Sequence, residues 1–155
     1  MRRADREITD PVKIEQFLAG EKIMRIAFFD DGDIYIVPVN YGLYTENGSY
    51  RFYFHGAMAG RKYDLAKARP SVGFETDGKM RLLRSEKACD HSIEYQSVIG
   101  TGILSIVDDP KEKKLGLDCI MKQQTAKDDW DYSDEIMSHS AVFRLDVKKL
   151  SCKAK

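Results

Sequence analysis

The segment Tyr95–Val107, YQSVIGTGILSIV, constrains the fold more than any other. From Ile93 onward it is apolar and β-branched enough to read as a strand, yet Gly100 and Gly102 interrupt it. Glycines inside a strand mark a bend, a bulge or the close approach of another backbone, as at a barrel corner. This strand is expected to curve, and a sheet built on it closes rather than lying flat.

The rest of the chain supplies strands for that closure. An apolar run from Lys22 to Phe29 meets the turn Asp30-Asp31-Gly32-Asp33 and then Ile34 to Tyr44, with Ile36, Pro38 and Asn40 on one face and Tyr35, Val37, Val39 and Tyr41 on the other. Pro38 removes a backbone donor, so it marks an edge, a bulge or an open stretch of ladder where main-chain groups are free for a ligand. Glu46-Asn47-Gly48 reads as a further hairpin turn, Ser71 to Thr76 as a short strand ended by a turn at Asp77-Gly78, and Ser140 to Leu150 as the last strand. Lys79 to Cys89 is highly charged and reads as a loop or exposed strand.

Helices are few. Asp10-Pro11 and Asp109-Pro110-Lys111-Glu112 each combine an N-cap with a first-turn proline, opening helices that run to Gly20 and to about Gln123. The acidic tract Thr125 to Ser138, with the lone Trp130, reads as a solvated loop with one aromatic anchor, the alternative being a ligand lid. Six or seven strands with few helices, and no linker or repeat, favour a small antiparallel barrel forming a single domain over residues 1–155. Closure also hides strand edges.

One stretch has a chemical character of its own. In Tyr50 to Leu65, YRFYFHGAMAGRKYDL, an alternating strand ends at His55-Gly56, passes through small residues to Gly60, and enters a helix starting with Arg61 and Lys62 that Pro70 stops. A helix N-terminus offers unpaired N–H groups to an anion, and two cations add full charge. The other reading is a hairpin-to-helix connection with two solvated cations. Because 25 basic and 25 acidic side chains cancel, any anion site is local, and general attraction to nucleic acid or an anionic membrane is not expected. No apolar stretch approaches the roughly 20 residues of a membrane span, so a soluble, cytoplasmic protein is expected. Cys89, Cys119 and Cys152 form no disulfide framework, and His55, His91 and His139 are too scattered for a metal motif.

Taken together, the opening MRRADREITD, VPVNYG (Val37 to Gly42), FYFHGAMAGRKYDL (Phe52 to Leu65), FET (Phe74 to Thr76), YQSVIGTG (Tyr95 to Gly102) and FRLDV (Phe143 to Val147) resemble the pyridoxamine 5′-phosphate oxidase-like FMN-binding split-barrel flavoproteins, most closely their nitroimidazole-resistance branch. The resemblance spans nearly the whole chain and implies a mainly β protein with flanking helices, a six-stranded antiparallel split β-barrel. It also implies a homodimer with one FMN in each of two interface clefts. Carried onto this sequence, Gly60, Arg61 and Lys62 would hold the phosphate, while Val37, Pro38, Val39 and Asn40 would run beside the flavin ring. His55 and Gly56 would lie between ring and phosphate, with His55 the candidate catalytic residue. Tyr95, Gln96 and Ser97 would come from the partner, and Trp130 would cover the cofactor.

The activity implied is an FMN-dependent oxidoreductase passing electrons from reduced nicotinamide to a small organic acceptor such as a nitroaromatic. The alternatives are a non-catalytic flavin or haem module and a deazaflavin-dependent reductase on the same fold. Haem lacks a paired-histidine or Cys-x-x-Cys-His pattern here. Pyridoxamine phosphate oxidation itself is not expected, because the chain ends in LSCKAK without that subgroup's arginine-rich segment.

Overall fold

The alternating patterns resolve into one antiparallel sheet in the computed structural model, which describes residues 3–155 and so omits Met1 and Arg2 of the opening motif. The strands are β1 (Glu7–Ile8), β2 (Ile23–Asp30), β3 (Asp33–Asn40), β4 (Gly42–Glu46), β5 (Ser49–Ala57), β6 (Ser71–Leu83), β7 (Ser92–Ile106) and β8 (Ser140–Ala154). Four helices accompany them: α1 (Pro11–Gly20), α2 (Arg61–Ala68), α3 (Pro110–Thr125) and α4 (Asp134–His139). Neighbouring strands run in the order β3-β2-β6-β7-β8-β5-β4, with β1 on β8.

The two ends of that path, β3 and β4, are consecutive in the chain and separated only by Tyr41. A one-residue connection between opposite ends of a sheet forces the sheet to wrap round on itself. Tyr41 is fully buried at this junction, donates its hydroxyl to the Leu18 carbonyl at 2.5 Å and meets Phe52 edge-on at 5.4 Å. Alternate residues fill the interior, among them Met24, Ile26 and Phe28 from β2, Phe52 and Phe54 from β5, and Phe143 and Leu145 from β8. The split-barrel layout is thus the one expected. The described residues hold eight strands rather than six, because the run Ile34 to Tyr44 divides at Tyr41 and Glu7–Ile8 adds a short pair at Lys153 and Cys152.

The curve at the two glycines is real and has a steric cause. A Cβ on Gly100 would stand 2.8 Å from Phe74 Cε1 and still closer to the Lys149 carbonyl, and one on Gly102 would stand 2.5 Å from the Asp146 carbonyl. The β7–β8 register shifts between Thr101 and Gly102, the bulge that bends the strand. At Asp77-Gly78, by contrast, the expected turn is absent. β6 continues to Leu83 by absorbing the disturbance in a bulge between Gly78 and Arg81, where Lys79 takes a left-handed φ of 52°. The acidic tract likewise contains α4, whose cap is the Ser133 hydroxyl accepting from the Ile136 N–H at 3.3 Å.

Helices cover selected parts of this barrel. Asp10 and Asp109 cap α1 and α3 as expected, accepting from Val12 N–H at 3.0 Å and Glu112 N–H at 2.9 Å. α1 buries Ile14, Phe17 and Leu18, and α3 forms a second small core with Tyr53, Val107 and Val142. The outer face of β3 and β2 stays open, with Ile34 63% and Ile36 58% exposed beside Phe29. No helix among the described residues is long and apolar enough to cross a membrane.

Candidate functional site

The chemistry gathers where β5 ends and α2 begins, at one mouth of the barrel. Gly60 holds φ 99° and ψ 171°, a left-handed backbone state that favours glycine, and it caps α2 without any side-chain hydrogen bond. The first helical bond runs from Asp64 N–H to the Gly60 carbonyl at 3.0 Å, so the N–H groups of Arg61, Lys62 and Tyr63 precede the helix ladder. Partial positive charge collects there.

Arg61 and Lys62 are adjacent, and successive helical side chains do not face each other. Arg61 turns outward to Asp30, with Nε at 2.7 Å and Nη2 at 2.6 Å from the same carboxylate oxygen, and its guanidinium lies 4.6 Å from the Tyr35 ring centre. Lys62 turns over the mouth. Its Nζ lies 5.5 Å from the Phe54 ring and 5.3 Å from the Phe143 ring, a pair stacked 4.9 Å apart at 13°. It donates a long 3.4 Å hydrogen bond to the His55 carbonyl, and among the described residues no carboxylate comes within ion-pair distance of it. Gly56 makes room for it, since a Cβ there would stand 2.7 Å from Nζ. Burial lowers the Lys62 pKa from the ordinary lysine value. A half-buried ammonium without a counter-charge is a site that an incoming anion stabilises.

His55 lies beside Gly56 on β5, its side chain on the strand face opposite Phe54. Crowding by surrounding protein first, and the Lys62 charge second, hold its imidazole below the ordinary histidine range. This favours the neutral form of His55. Since the folded value is the lower one, its contribution to stability is complete above the ordinary histidine pKa and declines as pH falls through the folded one. Lys62→Met is expected to raise the His55 titration midpoint, read from its ring proton shifts by NMR; a midpoint that stays put would show that the lysine charge does not reach the ring.

The remaining candidates divide by position. Val37 and Val39 point inward while Pro38 and Asn40 point out, on an edge strand that pairs with β2 alone, Pro38 opposite Arg25. The stack of Arg61 on Tyr35 joins this strand to the start of α2. Asn40 is already engaged, donating to the Lys22 carbonyl at 3.3 Å and Gln124 Oε1 at 3.2 Å. Tyr95, Gln96 and Ser97 sit at the other end of β7, paired with the β8 terminus, about 30 Å of strand from Ile106 near the mouth. Gln96 is buried and donates to Cys152 Sγ at 3.7 Å. Trp130 hydrogen bonds to the Lys127 carbonyl at 3.1 Å and stacks under Lys127. One chain therefore brings His55, Gly56, Gly60 and Lys62 together with the start of β3, but not Tyr95, Gln96, Ser97 or Trp130.

A cleft of about 440 Å³ between α1, β4 and α3 is a poorer candidate. Its polar lining is engaged: Glu15 with Thr45, Lys22 with the Gln123 carbonyl, and Lys122 with Asp128. Sequence reasoning missed Asp30, Tyr35, Phe54 and Phe143 as parts of the mouth. Asp30 carried only a turn signal, whereas Phe54 and Phe143 stood inside motifs whose pairing across β5 and β8 no local pattern reveals.

A family model described as pyridoxamine 5′-phosphate oxidase matches residues 10–154. Among solved structures, a candidate 5-nitroimidazole antibiotic resistance protein from Bacteroides thetaiotaomicron is 26% identical, with 96% of this chain and 86% of that one covered at a TM-score of 0.82. A flavocytochrome from Azotobacter vinelandii is 17% identical over 100% of this chain and 72% of that one, TM-score 0.81. An FAD and haem binding protein from Mycobacterium smegmatis is 14% identical over 97% and 73%, also at 0.81. Comparison with curated proteins gives no match.

Proposed function

Because the chain belongs to the pyridoxamine 5′-phosphate oxidase family, we propose that it is an FMN-binding oxidoreductase that passes electrons from a reduced nicotinamide to a small organic acceptor, with nitroaromatics the class to try first. The observation that carries this is Lys62, an unpaired, half-buried cation at a helix N-terminus that has no side-chain cap, on a helix that the Arg61–Tyr35 stack joins to the edge strand β3. The donor set fits a phosphorylated flavin. Lys62 and the first N–H groups of α2 suit the phosphate, and the open side of β3 around Val37, Pro38 and Val39 suits a ring edge that both donates and accepts. The flavocytochrome and the FAD and haem binding protein support a flavin on this fold, and the candidate nitroimidazole resistance protein supports the acceptor class.

When bound, FMN supplies the two-electron acceptance and redelivery that no side chain here can perform. This chain's own part is to bind and orient. Lys62 and α2 fix one end, Pro38 leaves one main-chain position without a donor, and His55 holds an imidazole at the mouth that, when neutral, can accept or donate a hydrogen bond.

A second copy of the chain completes this reading. The mouth is open in one chain, Tyr95 to Ser97 are remote from it, and the bare face carries Phe29, Ile34, Ile36 and Ile99 around Arg25 paired with Glu75 and Asp77. The test is the visible spectrum and solution mass of the purified protein, with mass analysis of whatever denaturation releases. Flavin bands, released FMN and a dimer are expected, with bleaching by reduced nicotinamide and recovery on adding a nitroaromatic. Protein that takes up no FMN on incubation excludes the cofactor, and bound FMN that reduced nicotinamide cannot bleach excludes the activity.

A further inference from the structure

We propose that Asp30 is a positioning residue for the anion site: by holding Arg61 against the β2–β3 turn it fixes the first turn of α2 and leaves Lys62 as the side-chain charge that meets the phosphate. The proposal rests on the phosphate reading above. Both ends of α2 are tied to one turn. Arg61, its first residue, pairs with Asp30 and lies over Tyr35, while Arg69, just past its last, pairs with Asp31 and lies 5.5 Å from the Phe29 ring centre. Two N–H groups of Arg61 converge on one carboxylate oxygen, and although the Arg61 side chain is 52% exposed, that of Asp30 is 24% exposed, so the carboxylate end of the pair is held against protein. With Arg61 so held, the next side chain round the helix is carried over Phe54 and Phe143.

The same pair admits an opposite reading, in which Asp30 competes with phosphate for Arg61. The two make contrary predictions for Asp30→Asn, which keeps shape and removes charge. Titration with FMN and with riboflavin, followed by flavin fluorescence, separates them. Positioning predicts that the preference for FMN over riboflavin falls about fivefold, within the range of couplings seen between neighbouring residues, while riboflavin affinity is unchanged. Arg61→Gln should give the same loss, and the double variant no more than either. A preference that rises or stays constant in Asp30→Asn overturns the proposal. So does a parallel loss of both ligands with a lowered Tm, which marks general loosening. Wild-type protein that binds FMN and riboflavin equally overturns the phosphate reading itself, and this role with it.

Discussion

Replacing Lys62 by methionine is expected to cost about 2 kcal/mol of FMN binding, roughly 30-fold in Kd, while riboflavin affinity stays within about twofold. Methionine matches the length and packing of the lysine stem over Phe54 and Phe143, so the change isolates the ammonium. The magnitude is that of one charge-assisted hydrogen bond, because the N–H groups of α2 remain and continue to attract an anion. Removing the lysine also relieves an unpaired half-buried charge, so the free protein should be no less stable than wild type. Isothermal titration with both ligands reads the difference directly. Equal losses for FMN and riboflavin would move the phosphate away from this helix.

Gly42→Ala is expected to lower stability by about 3 kcal/mol, the upper end of overpacking costs, and Tm by about 6–12 °C for a chain of this size. Gly42 opens β4 directly beneath α3, where a Cβ would stand 2.5 Å from the Cys119 carbonyl oxygen and closer still to the main-chain atoms of Cys119 and Ile120. Helix backbone cannot rotate aside as a side chain can. α3 must lift, and with it the cover over Tyr53 and Val142. Gly20→Ala, at the end of α1 with open space around it, is the control and should be neutral or stabilising by a few tenths of a kcal/mol. Thermal unfolding of the two variants side by side checks the contrast; a Gly42→Ala protein as stable as wild type would show that α3 docks loosely.

Much of the fold was legible because its signals are local. Alternation identified the faces of β3 and β5, the caps at Asp10 and Asp109 fixed two helix starts, and Gly100 with Gly102 announced the bend. The errors fell where a local signal was outvoted. Asp77-Gly78 has turn chemistry, but long pairing of β6 with β7 on both sides absorbs it as a bulge. Tyr41 sits within a continuous alternating run, and only burial beneath Leu18 and Phe52 explains why two strands form there. At the site, the positive charge gathered at Arg61 and Lys62 was readable from composition and position, whereas the outward turn of Arg61, away from Lys62, was not. It depends on Asp30, which is 31 residues distant in the chain.

The junction at Tyr41 also sets where this barrel can give. β3 and β4 meet through a covalent link and packing, with no ladder of hydrogen bonds joining them, whereas β6, β7 and β8 are bound along most of their lengths. Spreading β3 from β4 and β5 therefore stretches packing contacts but breaks no sheet hydrogen bond, so this seam is the compliant side of an otherwise stiff tube. Amide exchange should register it, with the outward N–H groups of β3 exchanging orders of magnitude faster than those of β7. A flat ring entering beside β3 would meet a wall that yields without unravelling.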